Sequence, residues 1–547
     1  MTLNHSSRKM YYYLCLIWHL SIANLIDTTI METGNLKQSS PFGEVSCEAE
    51  KVTLGDNYSQ YFFENTFFNQ GSVAPGTYLI IGRRGCGKTS LAEHFKFQSH
   101  IPKAKCIDVD EPRTYGAVAQ KVAGLLNFPS EISIPKICDI WEYAIWSLVF
   151  EQYKASDPKI KAACAVEGNE GSASHLIKTI LSGIINKYVL DNGSEIAEQV
   201  DAILNNATFK YAQEATLSLT KKEPVIVAID SMEHYSVDDQ AAMWSIAGLV
   251  QCASEFNNKY AARGIHVKLF ITDEIFPHLK EKIITNTLKF VREPLFLQWR
   301  PKDLERLVCW RFYKFLSATA PSLLHHTSID WDNYSEVHQK MWLPYFGSHI
   351  LNKNNVKEHT IPYILRHSQL RPRQLIFICN EICRRAYKYG KFPKFDALVL
   401  REAIWYSESF LADEVINSYS RIYPNIGSIV LALSGLPMSF KGRELDKVAN
   451  RTAGFWKAGE YSPDIFRQVV TELGIVGRKR GNKNSSSGII EADFEFAIED
   501  RLFLNERDDC VIHPMFYRKL NILPLANTCV YPFPDHPAFT FHEFAES

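Results

Sequence analysis

Tyr78 to Ile81 and Val225 to Ile229 are apolar without a break, and a third run follows at Val267-Lys268-Leu269-Phe270-Ile271-Thr272. Runs with no polar alternation predict strands covered on both faces of a parallel sheet. Lys105 to Asp110 alternates apolar and acidic, as a strand near an edge or ending at an active face does. Leu295 to Trp299 is a further strand candidate. Between these runs apolar residues recur every three or four positions, as in Ile140, Trp141, Ala144, Ile145 and Leu148, and again from Asp238 to Arg263. Strand, helix, strand alternation over 77–299 predicts an α/β core on a parallel sheet. The helical pattern over about 115–220 is longer than one crossover and reads as an insertion, divided at Glu167-Gly168-Asn169-Glu170-Gly171.

From 301 to 400 the period is helical throughout, with Leu304, Leu307, Val308 and Phe312, then 372–389. Residues 401–523 show short helices, turns at Gly427 and Gly435, and strand-like runs flanking a basic, glycine- and serine-rich loop at 477–488. That order is what a winged helix-turn-helix shows. The expected units are therefore a lead-in over 1–50, an α/β core over 51–300, a helical domain over 301–400, a winged-helix-like domain over 401–523 and a tail over 524–547.

Chemistry concentrates where the first strand ends. Gly82-Arg83-Arg84-Gly85-Cys86-Gly87-Lys88-Thr89 is G-x-x-x-x-G-K-[ST] set between a buried strand and a helix, the context of a phosphate-binding P-loop. Glycines bring successive N–H groups up to a phosphate with no Cβ in the way. The helix dipole behind them adds to the attraction. Lys88 would reach the β- and γ-phosphates, the Thr89 hydroxyl would hold Mg²⁺, and the binding set runs from Gly82 through Ser90. Asp230, closing the second apolar strand, is placed to orient the metal at the carboxyl edge of the sheet. Hydrolysis needs a further carboxylate to position water; Glu233 is the candidate, and Asp238 and Asp239 read as caps of the next helix. Thr272 ends the third run, where it would either touch the γ-phosphate or cap. Arg371-Pro372-Arg373 could bring a guanidinium to the phosphates or form a plain surface cluster. Aromatic residues over 51–76 pack either beside the base or as ordinary core.

A net charge of −1 over 547 residues gives no global pull towards nucleic acid or anionic membrane, so any such surface is local. Arg478, Lys479, Arg480 and Lys483, with Arg443 and Lys447 before them, suit contact with a phosphate backbone or form a solvated loop. Twelve cysteines without a CxxC pair or zinc spacing argue for reduced thiols in a cytoplasmic protein. The stretch from Arg8 to Ile26 has the outline of a signal peptide but is interrupted by His19, Ser21 and Asn24 and falls short of a span, so no membrane partner is expected. Residues 1–30 read as upstream sequence, with Met31 the working start.

Gly82 to Thr89, Asp230-Ser231-Met232-Glu233, Arg371-Pro372-Arg373-Gln374-Leu375-Ile376 and Val511-Ile512-His513-Pro514-Met515-Phe516 together resemble a group of bacterial P-loop ATPases. That group is related to the STAND and origin-recognition-like AAA+ branches, and the likeness covers about residues 55–522. The resemblance implies ATP and Mg²⁺ as ligands, Lys88 and Thr89 on phosphate and metal, Asp230 as the Walker B acid, Glu233 as the acid of a D-x-h-[DE] pattern and Arg373 as a sensor-2-like arginine. Ser231 departs from the glycine or acid usual after that aspartate. The AAA+ arrangement puts a glutamate there, which leaves the water-positioning residue open. The resemblance also implies a nucleotide switch, in some relatives in phage defence, with a homo-oligomer and a DNA or protein partner left open. The expected catalytic set is Lys88, Asp230, Glu233 and Arg373, for an ATPase. The rival readings are a nucleotide-dependent recruitment module with little hydrolysis and a small-molecule P-loop kinase. The kinase would need an arginine-bearing lid, and the sequence offers no convincing one.

Overall fold

The computed structural model describes residues 34–125, 130–164, 172–188, 193–230, 238–282, 290–456, 461–481, 488–498 and 501–533. The reading of 1–30 lies outside them. The apolar runs form β1 (Leu79–Gly82), β3 (Val225–Asp230) and β4 (Ile265–Thr272), and the alternating run forms β2 (Lys105–Val109). β5 is only Leu295–Phe296. These make one sheet in the order β2-β3-β4-β1-β5 with every pairing parallel. The carboxyl ends of β1, β4 and β3 therefore lie side by side, with Gly82 opposite Thr272 and Asp230 opposite Phe270. All eight residues of β4 are buried, Lys268 among them, as a parallel strand covered on both faces requires. Lys268 is tolerated because its ammonium donates to the carbonyls of Ala74 at 2.8 Å and Thr77 at 2.5 Å.

The stretch between β2 and β3 is helical over the described residues: Pro112–Leu125, Ser130–Tyr153, Pro158–Ala162, Ala173–Tyr188, Gly193–Leu204 and Ala207–Thr220. Helix Gln240–Tyr260 joins β3 to β4 and packs on Ser130–Tyr153, where the Trp141 indole donates to the Ser245 carbonyl at 3.1 Å. Before β1 come helices Cys47–Leu54 and Thr66–Val73, the second of which meets the edge strand β5.

After β5 come helices Pro301–Thr319 and Pro372–Lys388, the second opening on Pro372 with Arg371 as its cap. The helical pattern predicted over 301–400 is interrupted by a hairpin, β6 (His349–Leu351) and β7 (Lys357–His359), paired antiparallel. Three residues per strand are too few to leave a period.

Helix Ala397–Ser418 leads to Ile426–Leu431, Arg443–Asn450 and Pro463–Glu472, which stand beside a second sheet. Its strands are β8 (Ser439–Lys441), β9 (Val476–Lys479), β10 (Ile489–Asp493), β11 (Asp509–Ile512) and β12 (Cys529–Tyr531), in the order β12-β10-β9-β11-β8. This sheet reaches past the boundary expected at 523. β12 pairs parallel with β10 inside the expected tail, because Cys529, Val530 and Tyr531 are all buried and need a neighbour. The Tyr531 hydroxyl donates to the Glu358 carboxylate at 2.7 Å, next to the Arg366 guanidinium at 2.9 Å, which ties β12 to the hairpin.

Candidate nucleotide site at the sheet edge

β1 gives way at Gly82 to a loop in which Gly85 has φ 81° and Gly87 φ 100°, left-handed values that favour glycine. Helix Lys88–His94 starts at the next residue. Four neighbours fix the loop's shape. The Trp299 indole donates to the Cys86 carbonyl at 2.7 Å, the Arg373 backbone N–H to the Gly85 carbonyl at 3.2 Å, and the Arg371 guanidinium to the Arg84 carbonyl at 3.1 Å. The Arg84 N–H in turn donates to the Glu274 carboxylate at 3.2 Å. Lys88 is buried, and its ammonium donates to the Gly82 carbonyl at 2.9 Å.

The loop opens on a cavity of about 460 Å³, within the range typical of small-molecule sites. Arg84, Gly85, Cys86, Gly87, Lys88, Thr89 and Ser90 line it together with Asp230, with the charged Glu44, Glu48, Glu50, Arg311 and Arg373, and with the apolar Phe62, Phe63, Phe68, Leu307 and Ile376. N–H, hydroxyl and charged groups thus share the lining with aromatic and aliphatic side chains. The Thr89 hydroxyl and the Asp230 carboxylate on the same wall are hard oxygen donors, the class Mg²⁺ takes, and they fit that metal with solvent or phosphate completing its shell.

The remaining expected residues fall out differently. Glu233 and its neighbours Ser231 and Met232 lie outside the described residues. Arg373 reaches the cavity wall, but its guanidinium donates to the Val45 carbonyl at 2.9 Å and lies 3.4 Å from Glu414. Arg371, two positions earlier, is the buried arginine at the loop, 3.9 Å from Glu274. Arg83 leaves the loop on the side away from the cavity: it donates to the Tyr419 hydroxyl and the Glu472 carbonyl, each at 3.4 Å, and lies 5.7 Å from the centre of the Phe496 ring. Gly82, first residue of the expected binding set, closes β1 and takes the Asp273 N–H at 3.2 Å. Thr272 is buried with its hydroxyl in no hydrogen bond among the described residues.

Glu274, which follows Thr272 in the loop after β4, is the carboxylate set against this loop, through the Arg84 N–H and Arg371. Burial pushes its carboxyl up, but Arg371, Arg83 and Lys88 outweigh that and hold it below the ordinary range. Asp273 beside it goes the other way, raised by burial and by Glu274. Nothing in the spacing of Thr272-Asp273-Glu274 announces this; the signal is that the acid follows a buried strand ending level with the P-loop strand.

Among the described basic residues before and around the basic loop of the second sheet, several have acidic neighbours. Arg480 lies 2.6 Å and Arg478 3.9 Å from Asp493, and Lys447 lies 3.0 Å from Glu444. Lys483 is outside the described residues. His513 is fully buried against Phe494 and Phe496, accepts the Met515 N–H at 3.1 Å, and is pushed down to about 3 by burial, so it packs that sheet as a neutral ring. The cysteines of the described residues are free thiols. Among the described residues no helix is long and apolar enough to cross a membrane.

No protein-family model matches the chain, and no curated protein does. Among solved structures, the ORC2 protein of Aeropyrum pernix in ADPNP and ADP complexes aligns at 13% identity over 75% of this chain and 83% of that one, with a TM-score of 0.31. Drosophila ORC bound to DNA aligns at 10% identity over 89% of this chain and 91% of that one, with a TM-score of 0.27. Superpositions with TM-scores this low carry no argument about mechanism.

Proposed function

We propose that the chain binds Mg²⁺-ATP at the edge of the first sheet and acts as a P-loop ATPase whose nucleotide state times a change in its C-terminal part. One observation carries the reading: the G-x-x-x-x-G-K-T loop follows a buried parallel strand and lines, with Asp230, a cavity of about 460 Å³. In this reading the amides from Gly85 to Ser90 and the Lys88 ammonium hold the phosphates. Thr89 and Asp230 hold the metal, which neutralises phosphate charge when bound. Glu233 positions the attacking water. The units at 51–300, 301–400 and 401–523 are the core, a helical sensor-2-like domain and a winged-helix-like domain, working in the cytoplasm and in DNA-associated or phage-defence processes.

A second reading, nucleotide-dependent recruitment of a protein or DNA with little hydrolysis, is favoured by the arginines. Arg371 is committed to Arg84 and Glu274, and Arg373 to Val45 and Glu414. Neither is aimed to stabilise charge in a transition state without first moving.

The test is nucleotide binding and single-turnover hydrolysis by the full chain and by Lys88→Ala and Glu233→Gln. The ATPase reading expects Lys88→Ala to weaken uptake by at least about a hundredfold, the loss of a charged phosphate contact, and Glu233→Gln to keep uptake and lose turnover. Nucleotide bound by the wild type but never cleaved selects the recruitment reading. Uptake unaffected by Lys88→Ala overturns both.

A further inference from the structure

Three consecutive residues of the glycine-rich loop are held by chain that lies outside the first sheet. The Gly85 carbonyl takes the Arg373 N–H, and the Arg84 carbonyl takes the Arg371 guanidinium. Arg83 reaches furthest. Its Nη2 donates to the Tyr419 hydroxyl and to the backbone carbonyl of Glu472, each at 3.4 Å, and its guanidinium stands 5.7 Å from the centre of the Phe496 ring. Tyr419 caps helix Ala397–Ser418, Glu472 closes helix Pro463–Glu472, and Phe496 lies in the turn Glu495–Ala497. One side chain of the loop therefore meets three elements of the C-terminal part.

This socket is built on every side but one. The Tyr419 hydroxyl donates to the same Glu472 carbonyl at 3.2 Å, the Gln369 amide donates to the next carbonyl, Leu473, at 2.8 Å, and the Tyr423 hydroxyl donates to Glu472 Oε2 at 2.8 Å. Two atoms are left over, and they are complementary: Arg83 Nη1 and Glu472 Oε1 are both buried and in no hydrogen bond among the described residues. A buried donor and a buried acceptor without partners are each costly. Here they belong to two residues already joined through a carbonyl, by a bond at the long end of the range. A turn that brings Nη1 to Oε1 exchanges that bond for a charge-assisted one. A cavity of about 70 Å³, lined by Arg83 with Asp273, Glu495 and Phe496, leaves the guanidinium room to make it. Burial pushes the Glu472 carboxyl up to about 7, so that side chain also gains from a cation brought up to it.

Resting on the nucleotide reading above, we infer that Arg83 and Glu472 form a latch with two positions, held through the carbonyl or paired through the carboxylate, whose setting couples the phosphate loop to the C-terminal part. Neither residue lines the large cavity, so the pair acts through the loop and not on the ligand. Arg83 directly precedes the stretch whose amides shape the phosphate contact. A triphosphate that prefers one pose of those amides prefers the latch position compatible with it. Such coupling is reciprocal, so a change at the Glu472 end alters nucleotide affinity by the factor by which nucleotide alters the latch.

The experiment is equilibrium titration with Mg²⁺-ATP of the full chain, of Glu472→Gln, of Arg83→Met and of the double variant. Glu472→Gln removes the charge and is expected to change ATP affinity about fivefold or more. The same change made in the Arg83→Met background is expected to have less than about a twofold effect. A role in folding alone would act whether or not Arg83 is present. If Arg83→Met does not fold, as judged by circular dichroism, Arg83→Lys replaces it, because a single ammonium lacks the fork that spans carbonyl and carboxylate. Hydrogen exchange on the wild type needs no variant: Mg²⁺-ATP is expected to change the exchange rate of peptides covering 419–423 and 469–476 about threefold or more. The inference is overturned by a smaller effect of Glu472→Gln in folded protein, by the full effect persisting in the Arg83→Met background, or by unchanged exchange in both peptides. Failure of the nucleotide reading looks different: the wild type then takes up no ATP, and the latch falls with it. If ATP binds, Lys88→Ala removes it and Glu472→Gln leaves it unchanged, that reading stands and only the latch falls.

Discussion

Glu274 is where the phosphate loop can be tested without touching the loop. Changing it to glutamine keeps the shape and removes the charge that faces Arg371, which is 1% exposed. Two unit charges 3.9 Å apart attract by about 4 kcal/mol at an effective dielectric of about 20. The Arg84 N–H would still find an amide oxygen, a weaker acceptor by about 1 kcal/mol. Against these losses, glutamine needs no burial of charge. Leaving Arg371 buried and uncompensated sets the net cost at about 3–5 kcal/mol. The assay is a double-mutant cycle on urea unfolding, with Glu274→Met, Arg371→Met and the pair Glu274→Met/Arg371→Met, and with Glu274→Gln measured beside it. The pair is expected to recover most of the loss, since a buried ion pair exchanged for apolar groups is close to neutral. The sign with pH follows from the depressed carboxyl: its contribution is present above the ordinary carboxylate pKa and disappears as pH falls through the lowered value. A Glu274→Gln protein within about 1 kcal/mol of wild type, or a double variant as damaged as the two singles added, would refute the reasoning.

Lys268 gives a second pH signature. Burial lowers its ammonium from 10.5 to about 7, so the unfolded chain holds a proton there that the fold gives up, and stability rises between those pH values by up to about 5 kcal/mol; Lys268→Met should flatten that rise in urea titrations at pH 7 and 10. Gly264 has φ 91°, and a Cβ there would stand 2.2 Å from the Thr220 carbonyl oxygen. Gly264→Ala should therefore cost about 3 kcal/mol or more, read as a lowered unfolding midpoint, and an unchanged midpoint counts against it. Burial raises the Cys86 thiol, so iodoacetamide at neutral pH should label it far more slowly in native protein than in urea, as peptide mass mapping would show.

The first sheet was legible because parallel strands covered on both faces leave unbroken apolar runs, and the turn from β1 into the helix at Lys88 because glycines at fixed spacing mark it. β6 and β7 were not, since His349, Lys357 and His359 carry no apolar period over three residues. β12 was hidden among prolines, and its parallel partner lies forty positions earlier in the chain. β5 ends at Phe296 rather than Trp299, with one further backbone bond from the Leu297 N–H to the Ile81 carbonyl, and the Trp299 indole donates to the Cys86 carbonyl. Arg371 and Arg373 both meet the loop, the first through the Arg84 carbonyl and the second through the Gly85 carbonyl, a division that spacing alone does not announce. Arg371 sits in extended backbone at φ −109° and ψ 132°, as the residue before Pro372 is pushed to do, and from there its side chain reaches back to Arg84.

The pairing of β12 has a practical side for anyone trimming this chain. A version ending at 523, where composition alone suggests a stop, would bare the edge of β10 to other molecules and invite them to add a strand there. It would also take away the Tyr531 hydroxyl from the Glu358–Arg366 pair, so damage at one end of the sequence would surface as a loosened hairpin nearly two hundred residues away.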